Sequence, residues 1–256
     1  MIGAVTTLAW NGFREARRNR VTVIVAAFAV ALVIGAVLLT EATVSTLERV
    51  LTDLGLGSMS LMLTLLAIFL SSGLLSKEIE RRTIFMIVSR PVSRGMFLLA
   101  RLAGNMLTLG VILLLMALLF LGELALYRFP LHQSHLVAMS LLWVELLVLT
   151  SVGFLMSSFS SQIVSAVVTT GVYFAGHLSS EIYNLSQKSA SGFLKALGKV
   201  AYYVLPNLEK LNFRPHAAYA ITVGAGEIVR AVLMGFGYSA ALVGLAILVF
   251  SNRDFK

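Results

Sequence analysis

Apolar and polar residues come in blocks along this chain and do not alternate. Uncharged apolar runs of span length are separated by polar, mostly cationic segments. About 20 apolar residues cross a hydrocarbon core of about 30 Å as a helix, because each residue rises about 1.5 Å. Only helices and closed barrels satisfy the backbone in lipid, and the lack of period-2 alternation favours helices. Six runs are predicted to span: Val21–Thr40, Leu54–Ser76, Leu102–Gly122, Leu136–Phe159, Ile163–Ile182 and Ala231–Asn252. The second is expected to begin after a Gly-rich turn at Gly55 and Gly57. The third has room to extend to Tyr127, with Glu123 at the interface. Glu145 interrupts the fourth, and His177 and Glu181 lie near the end of the fifth. The expected fold is all-α integral membrane, one transmembrane domain over residues 1–256, with both termini on one side.

Other apolar residues repeat at helical spacing outside these runs. Val5, Leu8, Ala9, Gly12, Phe13 and Ala16 share one face, with Arg14 and Arg18 opposite. This pattern predicts an interfacial helix lying flat, its cations among lipid headgroups. Between the fifth and sixth runs, Phe193, Leu194, Leu197, Val200, Ala201 and Val204 repeat the pattern and stop before Pro206. The stretch Ala217–Ile228 is apolar but too short to span. It is expected to be a re-entrant or outer interfacial helix.

Composition makes lipid the solvent. Of 256 residues, 58% are hydrophobic and 12% charged, about half the charged share of a soluble domain. The net charge of +8 orients the spans, and no nucleic-acid partner is expected. With the N-terminus inside, the inner segments hold twelve Lys and Arg against eight outside; six of those eight lie in the long outer loop 183–230. The first apolar run follows a twenty-residue cationic region and exceeds the roughly 7–15 residues of a secretory core. It is read as an anchor. Zero cysteines exclude disulfides, thiol catalysis and iron–sulfur clusters.

Candidate chemistry is sparse. Gly192 to Lys199 superficially resembles a phosphate-binding loop. It has five residues between its glycines, not four, and Val200 follows the lysine. His132 and His135 follow Pro130 in a short outer loop and are expected to be ordinary interfacial histidines rather than a metal site. No hydrolase or metalloprotease motif occurs, so the chain is expected not to be an enzyme and to bind no cofactor itself. Ionisable groups inside a membrane are costly and often functional. Glu145 has two readings: a polar lining of a translocation path, or a buried carboxyl bonded to a neighbouring helix. His177 and Glu181 are one turn apart, so their side chains are placed to meet. They are expected to form a polar patch at the outer end of their span, with the path lining as the second reading. Asn105 is expected to make a helix–helix hydrogen bond.

The most informative segment lies between the second and third runs. Lys77, Glu78, Glu80, Arg81 and Arg82 form a dense mixed-charge turn. Five apolar residues, Ile84 to Val88, then lie outside any span, and Pro91 stops the helix. A plain connector needs only a few polar residues. This one offers a charged face to a soluble partner and an apolar patch for docking.

The run Glu78-x-Glu80-Arg81-x-Thr83, followed by Ser89-Arg90-Pro91-Val92-Ser93-Arg94, resembles the inner loop of ABC type-2 permeases. The nearest likeness is to the NosY-like group associated with multicopper-enzyme maturation. Those permeases often carry Gly before the Thr, where this chain has Arg82. The resemblance implies an exporter half in a bacterial or archaeal cytoplasmic (inner) membrane, both termini cytoplasmic, with a second permease copy or homologue completing the path. It also implies two separate ABC ATPase subunits that hold ATP and Mg. Their coupling contacts would be Glu78, Glu80, Arg81, Arg82, Thr83, Ile84, Phe85, Pro91 and Arg94, with the turn Ser157–Gln162 as a secondary contact. Two rivals remain open: an ion- or proton-coupled secondary transporter using Glu145, and a non-transporting membrane scaffold.

Overall fold

The computed structural model describes residues 21–38, 44–80, 94–189 and 191–251. Among these residues all regular structure is helical. The elements in order are α1 (Val21–Leu38), α2 (Val44–Glu80), α3 (Arg94–Leu126), α4 (Gln133–Ser157), α5 (Gln162–His177), α6 (Ser179–Lys188) and α7 (Gly192–Val204). A 3-10 turn (Leu208–Leu211), α8 (Arg214–Ala218) and α9 (Ala225–Ser251) complete it. The expected flat helix over residues 5–16, the loop 81–93 and the closing Arg253, Asp254 and Lys256 lie outside the described residues.

Four described helices are long and apolar enough to cross a membrane: α2, α3, α4 and α9. A fifth span arises if α5 and α6, bent by 63° at their junction, are taken as one broken crossing. Helix α1 is uncharged over 18 residues. The fifth run is therefore not the straight helix Ile163–Ile182 that the hydropathy pattern predicts. Its apolar content ends at His177, where Leu178 leaves helical geometry and the polar Ser179 and Ser180 start α6.

Burial separates the spans in a way that hydropathy does not. Within the most apolar window, α4 is 83% buried and α9 only 22%. Helix α4 is the central post, packed by α2, α3, α5, α8 and α9. Leu114 and Leu118 on α3, and Leu233, Leu245 and Leu248 on α9, face outward. Several buried hydroxyls turn back onto their own helices, which satisfies them away from water: Ser151 donates to Leu147 O, Thr108 to Gly104 O and Ser239 to Gly235 O.

The second run differs most from expectation. No turn exists at Gly55 and Gly57; α2 runs through both for 37 residues, about 55 Å. Gly55 is a contact point: a Cβ there would lie 2.5 Å from the Phe120 ring, whereas one on Gly57 would meet the Arg214 guanidinium only at an ordinary 4.0 Å. Small residues let helices approach closely in a membrane. The same logic operates on α4 and α9, where Gly153 meets Ser71 and Gly235 meets Val144.

The stretch Ala217–Ile228 is not one helix either. Helix α8 ends in a Schellman motif: Ala220 is left-handed (φ 53°), Ile221 N–H donates to His216 O, and Ala220 N–H to Ala217 O. Arg128, at φ 58°, ends α3 in the same way. Neither position carries the glycine that usually signals this turn. An Ala220→Gly variant removes the left-handed penalty and is expected to raise stability by up to about 1 kcal/mol. Thermal unfolding in detergent checks this, and a lowered midpoint would show that residue 220 is not left-handed.

Candidate functional site

Glu145 is the thirteenth of the 25 residues of α4, about 18 Å of helix from either end. It is 3% exposed. Its Oε1 lies 3.0 Å from His177 Nε2 at the end of α5. The other ring nitrogen, Nδ1, lies 3.4 Å from Glu209 Oε2 on the 3-10 turn. Tyr173 stands edge-on to the same ring at 4.7 Å. The imidazole therefore bridges two carboxyl groups, one buried at the bundle's centre and one half exposed.

The segment after α7 builds this arrangement by wedging between the spans. Leu208 and Leu211 are buried, and so are Phe213 and Ala217. Gly176 permits the approach, since a Cβ there would lie 2.7 Å from Pro206 O and 2.8 Å from Leu208 Cγ. Asn207 fixes the bend from its other side, its Nδ2 donating to Ser180 Oγ at 2.9 Å. The polar chain continues outward. Asn212 Nδ2 donates to Glu209 at 3.4 Å, and Arg214 Nε donates to Asn212 Oδ1 at 2.9 Å. Beside Glu145 is a crevice lined by Leu56, Leu142, Asn212 and Arg214, with room for about one water molecule.

This geometry unites two of the three intramembrane residues that the sequence singles out. His177 does not pair with Glu181 as their spacing predicts. Both its nitrogens are engaged elsewhere, and the 63° bend separates the two residues onto different helices. Glu181 is exposed on α6. His177 also lies level with the middle of α4 rather than in a patch at the end of a full span. Glu209, Asn212 and Arg214 are not legible as site residues from the pattern, because they sit in an irregular, mixed stretch. The one available signal is the apolar pair Leu208 and Leu211 flanking Glu209 at turn spacing.

Glu78 and Glu80 occupy the last turn of α2, and Arg94 opens α3. Arg81, Arg82, Thr83, Ile84, Phe85 and Pro91 lie outside the described residues. The turn between α4 and α5 is short and polar as expected, with Ser161 Oγ accepting from Val164 N–H. His135 is buried in the first turn of α4, its Nδ1 accepting from His132 N–H at 3.2 Å, while His132 Nε2 faces Glu48 at 3.4 Å. Among the described residues no cluster of three His, Asp or Glu side chains is arranged for a metal ion. Asn105 is buried, but its Nδ2 finds no partner among the described residues, so it does not donate the expected interhelical bond.

Residues 6–255 match the family model described as ABC-2 family transporter protein. No curated protein matches the chain significantly.

Proposed function

The chain belongs to the ABC-2 family of transporter proteins, and from that premise we propose that it is the permease half of an ATP-driven exporter. It is a multi-pass membrane component of a transporter. In the proposed assembly two permease chains form the path, and separate ATPase subunits bind ATP and Mg. ATP binding would draw the ATPases together and rock the bundles, changing access to the path. Glu145 and His177 would line it, with Glu181 at its mouth. The NosY-like grouping is part of the same proposal and rests on the loop residues 78–94.

The observation that supports this reading most is the length of α2. It outruns a bilayer of about 30 Å and continues beyond its apolar segment Leu47–Gly73 as far as Glu80. Helix α3 begins at Arg94, ahead of its own apolar residues. Two membrane-crossing rods thus flank the segment 81–93, so force applied there would be delivered along α2 to α4. The decisive experiment is co-purification of an ATP-binding cassette subunit with the permease, followed by ATP hydrolysis in reconstituted vesicles. Hydrolysis stimulated by the permease supports the proposal; transport with no such partner favours ion coupling through Glu145.

The proposed topology has six spans, α1 and the broken α5–α6 included, in a bacterial or archaeal inner membrane. The absence of native cysteine makes it simple to probe. Single cysteines at Ser45, Gln133 and Ser189 are expected to react with an impermeant maleimide from outside, and those at Ser89 and Ser251 only after permeabilisation. Protection of residue 189 would overturn this topology, because six cations share its loop.

A further inference from the structure

We propose that Glu145, His177 and Glu209 form a proton-binding site that holds one proton on the His177 imidazolium and thereby ties the wedge 205–218 to the centre of the bundle. A neutral imidazole has one N–H donor and one acceptor nitrogen. His177 presents both nitrogens to carboxyl oxygens, at 3.0 and 3.4 Å. With both carboxylates ionised, a neutral ring leaves one nitrogen lone pair facing an oxygen lone pair. One added proton turns both contacts into charge-assisted hydrogen bonds. In model peptides the imidazole is the strongest base of the three, by about two pH units, and it is the group with both donor positions facing carboxyl oxygens.

Among the described residues no Lys or Arg pairs with the ring, and Arg214 lines the crevice beside Glu145 instead. The charged side chains in contact with the ring are those of Glu145 and Glu209. Tyr173 of α5 contributes a ring edge, and Arg214 of α8 bonds Asn212. Lys210 of the turn stands over Tyr202. Glu181 of α6 is exposed, α2 carries no charged residue between Asp53 and Lys77, and α9 carries none after Arg230. The proton's route to water is Glu209, which is 48% exposed on its side chain. Losing the proton removes one of the two hydrogen bonds through which the ring links α4, α5 and the wedge. The site is thus a point at which proton uptake and wedge position are linked, whatever drives the transporter.

The test uses the full chain in lipid nanodiscs, labelled with nitrogen-15 at its four histidines, without any ATPase. The His177 ring signals are identified by their loss in His177→Gln. At pH 7.5 an imidazole in water is about 90% neutral. His177 is expected to be doubly protonated there, and Glu145→Gln is expected to lower the protonated fraction at least fivefold. Glu209→Gln changes a half-exposed side chain and is expected to lower it by a smaller factor in a folded protein, which keeps the test informative if Glu145→Gln fails to fold. A singly protonated ring in the unaltered chain overturns the proposal, as does a doubly protonated ring unchanged by Glu209→Gln. Neither result bears on ATPase coupling, which is read separately in the co-purification experiment.

Discussion

The Gly153→Leu variant is expected to abolish accumulation of folded protein in the membrane. Gly153 lies on α4 where a Cβ would overlap Ser71 of α2 and come within 3.5 Å of Thr169 Oγ1 of α5. Its carbonyl also accepts a 3.0 Å hydrogen bond from the buried Ser165 hydroxyl. Three helices therefore converge on one missing side chain. A leucine there must separate α2 from α4 and break the Ser165 bond. Overpacking costs about 1–3 kcal/mol in well-packed cores and occasionally more; at a three-helix contact the upper end applies. Gly153→Ala is expected to be milder but still destabilising, and Gly122→Ala, with open space around it, should be close to neutral. Yield of monodisperse protein in mild detergent and its thermal midpoint measure all three. Wild-type behaviour of Gly153→Leu would mean that α2 and α4 are not in this contact.

The second large effect is expected from the segment between α2 and α3. In the proposed assembly, if Ile84 and Phe85 face the ATPase, Phe85→Asp or Ile84→Asp should weaken its capture tenfold or more, about 1.4 kcal/mol, because buried central contacts dominate an interface. Reversing Arg81 and Arg82 together to Glu should weaken it less and in a salt-dependent manner, as rim charges do. In both cases the permease should still insert, and hydrolysis should no longer respond to it. Pull-down at two salt concentrations and hydrolysis in reconstituted vesicles give the answer. If all these variants bind and couple like the unaltered chain, residues 81–93 are only a topological connector, and the ATPase-coupled reading loses its support in the sequence.

What the sequence determined by itself is the membrane character of the chain and the position of its apolar helices. Both follow from local quantities: run length, missing charge and the 1.5 Å rise of a helix. The α7 helix was legible for the same reason, since Leu194, Leu197, Val200 and Ala201 keep helical spacing within one segment. Ionisable residues such as Glu145 and His177 stood out because lipid makes them costly. Tertiary structure alone decided what each of them does. Whether Gly55 ends a helix or receives a ring depends on Phe120, 65 positions later, and nothing local to Gly55 encodes it. The left-handed caps at Arg128 and Ala220 lack a glycine signal, so the end of α8 was invisible. The partner of His177 is not Glu181, one turn away, but Glu145 and Glu209, each 32 positions distant. That choice follows from the bend at Leu178 and from Leu208 packing against Gly176, and only the packed bundle brings those surfaces together.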